Sequence, residues 1–224
     1  MQQTPATNIF NQTVLEEIPH GLNKIIEIGT GSGALTNAYK KVNPNTIYIG
    51  VEIDSSYADL SRRYCDKVYV ENFENPSDAL LNEFKNADLV IFSDVLEHMY
   101  DPWMVLDRIS KILPQYGAVI ASIPNVQHWS LQKEIMSGNF NYANSGLLDR
   151  THIRFFTRKT MRSLFTESGF SISKITPRIF DFPGQNEHLE WIRNSAVNLN
   201  LDIQESVFDA AAFQFVITAK ITKG

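Results

Sequence analysis

Cysteine is nearly absent. Cys65 is the one thiol in 224 residues, which excludes an intramolecular disulfide and any multi-thiolate zinc centre. It follows Tyr64 in a segment patterned as a helix and reads as a small buried apolar side chain. Positive charge is also scarce: 20 Lys and Arg stand against 25 Asp and Glu, a formal net charge of −5. The chain as a whole repels phosphate backbones, so nucleic acid is not expected as a partner. No apolar run approaches the roughly 20 residues of a membrane span, and the start, MQQTPATNIF, lacks the basic and apolar regions of a secretory signal. The expectation is a cytoplasmic protein with no membrane partner. Internal repeats and low-complexity tracts are missing as well.

A composition of 43% hydrophobic, 11% aromatic and 20% charged residues lies near the globular average, against disorder and against a coiled coil. At about 100 to 200 residues per domain, the whole chain, 1–224, is read as one large domain.

Short β-branched runs alternate with helical stretches, the signature of βαβ units and a mostly parallel sheet. Strands are expected at 24–28, 46–53, 67–70, 87–92, 118–123, 170–177 and 211–221. Helices fall between them at 34–42, from Ser55 and Ser56 as caps through Arg63, and at 76–84, 101–113 and 157–168. Pro102 sits in a first turn, and Gly169 closes the last helix of this series. The expected fold is therefore α/β, a Rossmann-like three-layer sandwich around seven strands, the last one antiparallel. Segments 124–156 and 179–209 break the alternation, the second with a helix near 187–197. Connections of that length in a compact α/β domain tend to be lids, so both are expected to cover the substrate.

The run Glu27-Ile28-Gly29-Thr30-Gly31-Ser32-Gly33 leaves the first strand and enters the first helix. Glycines there permit a tight turn and close approach of backbone to a ligand. Glu52 ends the second strand, where a carboxylate can accept both hydroxyls of a ribose. Gly29, Gly31 and Ala34 also satisfy the loose pattern of a dinucleotide fold, so a nicotinamide-dependent oxidoreductase is one reading. Glu27 discriminates: an acid before the first glycine suits a ligand carrying an ammonium and a sulfonium better than one carrying a pyrophosphate.

At these residues the sequence resembles the class I S-adenosylmethionine-dependent methyltransferases. Glu27 to Gly33 is similar to their first motif, an acid followed by GxGxG, and Glu52 to their ribose-binding acid. Asn72 and Phe73 stand where the family has contacts to the adenine amine and ring. Asn72 replaces the usual Asp and still offers a carbonyl oxygen to that amine. Ser93-Asp94-Val95-Leu96-Glu97-His98 is similar to the fourth motif of small-molecule members, whereas the Asn/Asp-Pro-Pro-Tyr and Pro-Cys motifs of nucleic-acid members are absent. The resemblance implies S-adenosylmethionine as cofactor, with Glu27, Gly29, Thr30, Gly31, Gly33, Glu52, Ile53, Asn72, Phe73, Ser93 and Asp94 around it. A nucleoside-binding protein that has lost transfer is the alternative from outside enzymology.

The stretch from Ile123 through His128 and Asp149 to Thr157 resembles a subgroup of these methyltransferases found among bacterial genes for glycan and surface-polysaccharide assembly. That implies a small polar acceptor, a sugar or sugar-nucleotide. A hydroxyl acceptor must lose a proton, and histidine suits that task near neutrality. His128 and His152 are the principal candidates, with His98 as a third. Asp149 is expected to orient an imidazole or bind a sugar hydroxyl. Arg150 and Arg154 serve a substrate phosphate or structural pairing. Trp129, Phe140 and Tyr142 offer faces for stacking or for lid packing. No metal site is expected, because no histidines and carboxylates share tight ligand spacing on one helix.

Overall fold

A computed structural model describes residues 9–222. Its first half runs α1 (Gln12–Glu17), β1 (Lys24–Ile28), α2 (Ala34–Lys40), β2 (Ile47–Glu52), α3 (Ser55–Ser61), β3 (Lys67–Val70), α4 (Asp78–Phe84) and β4 (Leu89–Ser93). A single 3-10 turn (Leu96–His98) leads to α5 (Pro102–Ile112), β5 (Ala118–Pro124), α6 (Trp129–Met136), α7 (Arg158–Glu167), β6 (Phe170–Arg178), α8 (Gln185–Asn198), α9 (Ile203–Ala211) and β7 (Gln214–Ile221).

All five residues of β1 are buried, Ile25, Ile26 and Ile28 as expected of a central strand covered on both faces, and Lys24 and Glu27 with them. The sheet order is β3-β2-β1-β4-β5-β7-β6. Pairs from β3 through β5 are parallel, while β7 runs antiparallel to both β5 and β6. The expected seven-stranded, mostly parallel fold with an antiparallel last strand is what the chain adopts. Chain order reverses between β1 and β4, and open α/β sheets form their ligand crevice beyond the strand ends at such a point.

Alternation along the strands splits the core in two. Ile26, Ile28, Val90 and Phe92 face Leu80 and Phe84 of α4, Val105 and Ile109 of α5, and Leu164 and Phe165 of α7. Ile25, Tyr48, Leu89 and Ile91 face α1 and α2 through Val14, Leu35 and Tyr39. Each such fully buried apolar side chain contributes about 1.5 to 3 kcal/mol. The segment before Lys24, whose placement the sequence leaves open, puts α1 against this second core. Among the described residues no helix is long and apolar enough to cross a membrane.

Local chemistry corrects several boundaries. Asp54, not Ser55 or Ser56, caps α3: its carboxylate accepts from the amides of Ser56 at 2.8 Å and Tyr57 at 3.3 Å, and an ionised acceptor outbids a hydroxyl. Helix α6 falls in the segment that breaks the alternation, and its N-cap is His128, outside the usual Ser, Thr, Asp, Asn set that signals a start. Helix α9 shortens the expected last strand. Its start is legible in hindsight, since Asp202 caps the amide of Glu205 at 2.8 Å, the spacing of a capping box.

Segment 179–209, expected as substrate cover, packs through α8 and α9 as a brace on α6 and the end of β5. Ile192 of α8 and Ala210 of α9 pack on Trp129 of α6. Asn125, at the end of β5, donates to the Asp209 and Ala212 carbonyls at 2.7 and 2.8 Å. Segment 124–156 returns from α6 over the strand ends, held by amides of Ile153 and Arg154 that donate to the Glu97 carbonyl at 3.0 Å.

Candidate active site

The loop after β1 has left-handed backbone at Gly29 (φ +71°), Gly31 (+53°) and Gly33 (+77°). A Cβ on Gly29 would stand 2.5 Å from Val95 Cγ2, so the loop and the segment after β4 approach as only glycine allows. The Gly31 amide donates to Glu52 Oε2 at 2.9 Å, and Glu52 Oε1 accepts from the amides of Ile53 and Asp54 at 2.8 and 3.0 Å. One carboxylate thus ties the glycine loop to the end of β2.

A cavity of about 650 Å³ opens at this edge, within the range of small-molecule sites. Its wall includes Gly29, Gly31, Glu52, Ile53, Asn72 and Phe73, from the end of β2 and the loops after β1, β2 and β3, and Asp94, Glu97, His98, Asp149 and His152, from the loop after β4 and from segment 124–156. Nine of the predicted site residues therefore meet around one space: Gly29, Gly31, Glu52, Ile53, Asn72, Phe73, Asp94, Asp149 and His152. Asn72 Oδ1 accepts from the Glu74 amide at 2.9 Å, a turn that fixes its orientation. Phe73 is wedged against Phe84 and Phe92. Asp94, with φ +57°, accepts from Gln214 Nε2 at 2.5 Å, and burial raises its pKa.

Five predicted residues stand off that wall. Glu27 faces the α2 side of the sheet, where Tyr48, Thr30 and Thr36 hydroxyls donate to it at 3.0, 3.2 and 3.3 Å. Burial pushes its carboxyl up to about 7 despite these bonds. Thr30 shares that enclosure. Gly33 caps α2, and a Cβ there would press on Ser61 Cα and Tyr64 at 3.0 Å, so its need is packing. Ser93 approaches Ser122 Oγ at 3.5 Å between strands. His128 is wholly buried among Trp129, Phe182 and Phe213, with Nδ1 on Ser130 at 2.8 Å, and burial pushes its pKa down to about 4. It caps α6 and stands off the cavity wall.

His152 and His98 do meet at the cavity, with ring centroids 4.8 Å apart. Each is fixed through Nδ1, His98 on the Thr151 carbonyl at 3.1 Å and His152 on the Leu147 carbonyl at 3.2 Å. Carbonyls only accept, so both Nδ1 atoms carry the proton and both Nε2 atoms keep a lone pair. Desolvation lowers both pKa values, favouring neutral imidazoles. Asp149 Oδ1 accepts from the Thr151 amide and hydroxyl at 2.8 and 2.6 Å and so shapes the turn that carries His152. Arg154 is bound to the Tyr100 carbonyl over the Trp103 ring, a structural pairing. Phe140 and Tyr142 are exposed and stack edge to face on each other.

Sequence reasoning gave no role to Glu97, Phe213 or Gln214, all on the wall. Glu97 lay within the quoted fourth-motif run, and Gln214 follows Phe213 where β7 begins.

This is a Rossmann-like α/β protein with its cavity at the sheet's switch point. Residues 10–175 match the family model described as a methyltransferase domain, well over half of the chain, and the chain belongs to that family. It is 22% identical over 189 residues to a mitochondrial ubiquinone biosynthesis O-methyltransferase of Dictyostelium discoideum, covering 77% of this chain and 58% of that relative's length. Among solved structures, an S-adenosylmethionine-dependent methyltransferase from Thermotoga maritima shares the fold at a TM-score of 0.62 and 19% identity, covering 95% of this chain and 86% of that one. An O-methyltransferase from neocarzinostatin biosynthesis, solved with S-adenosyl-L-homocysteine and 1,4-dihydroxy-2-naphthoic acid, matches at a TM-score of 0.53 and 13% identity, covering 89% and 49%.

Proposed function

We propose that the protein transfers the methyl group of S-adenosylmethionine to a hydroxyl oxygen of a small acceptor. The observation that carries this reading is one cavity that gathers two sets of residues. The glycine loop, Glu52, Asn72 and Phe73 suit the nucleoside and methionine parts of the cofactor, and His98, Asp149 and His152 suit an acceptor hydroxyl. Family membership supports the cofactor, and relatives named as O-methyltransferases support an oxygen acceptor.

In the reaction the acceptor O–H loses its proton, its oxygen forms a bond to the methyl carbon, and the carbon–sulfur bond breaks. Sulfur keeps that electron pair and leaves as the thioether of S-adenosylhomocysteine. Much of the acceleration comes from holding oxygen and methyl carbon in line in a space shielded from water. Neutral His152 or His98, each with Nε2 as an acceptor, takes the proton. The sugar or sugar-nucleotide class rests on the resemblance of the Ile123–Thr157 segment, and an aromatic hydroxy acid rests on the ligand of the structural relative.

Calorimetric titration with S-adenosylhomocysteine and, separately, NAD tests the cofactor: binding of NAD alone overturns the reading. A product-release assay against nucleotide sugars and aromatic hydroxy acids then selects the acceptor class. Cofactor binding with no turnover on either panel, or on wider hydroxyl libraries, would instead favour the nucleoside-binding protein without transfer.

A further inference from the structure

The most unusual group on the cavity wall is Glu97. It is 1% exposed, and neither carboxylate oxygen has a hydrogen-bond partner. A buried carboxylate in that state is costly unless a proton, a donor or a cation satisfies it. Glu97 Oε1 lies 4.0 Å from His152 Nε2, and one ligand atom each from Glu97, His98 and His152 all fall within 4.8 Å of one another. Both imidazoles are anchored through Nδ1 to backbone carbonyls. That is the outer-shell arrangement that fixes a histidine for metal ligation through Nε2.

We propose that Glu97, His98 and His152 form a binding site for one divalent first-row cation, such as Zn²⁺ or Mn²⁺, at the acceptor side of the cavity. Two imidazoles and one carboxylate favour such ions over Ca²⁺ or Mg²⁺. Bonds of about 2.1 Å place neighbouring ligand atoms about 3 to 3.5 Å apart, so side-chain shifts of about 1 Å close the set. Three protein ligands leave positions open toward the cavity, and an acceptor oxygen bound there loses its proton more readily. The site thereby supplies an alternative to direct proton uptake by a histidine; this role, though not cation binding itself, rests on the methyl-transfer reading. Spacing along the chain concealed the cluster because His152 arrives on a separate segment, pinned by the Ile153 and Arg154 amides on the Glu97 carbonyl.

The test is titration of chelator-stripped protein with ZnCl₂ and with MnCl₂ by calorimetry, for the full chain and for Glu97→Gln, His152→Gln and, as a control, His188→Gln. S-adenosylhomocysteine binding is measured on every variant as proof of folding. The expected result is one ion per chain, affinity at least about 100-fold weaker in Glu97→Gln and His152→Gln, and no change in His188→Gln. Co²⁺ titrated into the unsubstituted protein gives visible d–d absorption of a nitrogen-ligated ion, a readout that needs no variant. Absence of saturable binding and of that spectrum, or equal binding in all variants, overturns the proposal. If S-adenosylhomocysteine still binds in that case, the methyltransferase reading stands; if the cation binds and S-adenosylhomocysteine does not, that reading fails and the cation site stands.

Discussion

The Gly31 amide donates to the Glu52 carboxylate at 2.9 Å, which makes the glycine turn and the end of β2 one rigid unit. Glu52→Gln keeps the shape but replaces one acceptor oxygen with an NH₂ facing backbone donors. Affinity for S-adenosylhomocysteine is expected to fall about 10- to 100-fold, the worth of one or two good hydrogen bonds to a charged group. Calorimetry checks it, and unchanged affinity would mean that the carboxylate serves the loop alone.

Glu27 predicts a pH dependence of stability. Its carboxyl is pushed up to about 7 by burial from an ordinary value of 4.5. The folded state therefore holds this proton more tightly than the unfolded chain. Its stabilising contribution is complete below about pH 4.5 and is lost as pH rises toward about 7, at most about 3 kcal/mol. Glu27→Gln removes the titration, so the variant gains on the parent by about 1 to 3 kcal/mol between pH 5 and pH 8. Urea denaturation at both values measures the gap; a constant difference would refute the assignment.

Gly29→Ala imposes two separable costs. Left-handed backbone at φ +71° costs alanine about 1 to 2 kcal/mol, and the new Cβ meets Val95 Cγ2 at 2.5 Å. A total loss of about 2 to 4 kcal/mol is expected. Adding Val95→Ala should relieve the collision and leave the backbone strain, and a double-mutant cycle in thermal melts separates the two.

The buried carboxylate of Asp209, 2% exposed, is paired with Arg158, which also reaches Glu205 at 3.2 Å. Arg158→Met leaves that charge uncompensated and should destabilise by about 3 kcal/mol or more. Because Asp209 also offers its carbonyl to Asn125, loosening is expected to spread to the end of β5. Hydrogen exchange near Asn125 reads that spread, and Asp209→Asn added to Arg158→Met should restore much of the stability.

What the sequence by itself determined was whatever rests on local chemistry. The isoleucine-rich KIIEI run, the glycines that must turn sharply after it and the acid ending β2 are legible along the chain, and they supply the glycine-loop residues of the cavity wall. Tertiary structure decided which histidines and carboxylates reach the cavity. His128 and His152 are equivalent as residues in a polar, aromatic stretch, yet one caps α6 inside an aromatic cluster and the other meets His98 and Glu97. Which of them reaches the cavity depends on backbone hydrogen bonds between distant segments, the Glu97 carbonyl with Ile153 and Arg154. The side on which Glu27 is buried is likewise set by Tyr48 and Thr36 arriving from β2 and α2. Periodicity and spacing register the neighbours of a residue along the chain, whereas burial, pairing and the shared lone pairs of a ligand set arise only when separate elements pack together.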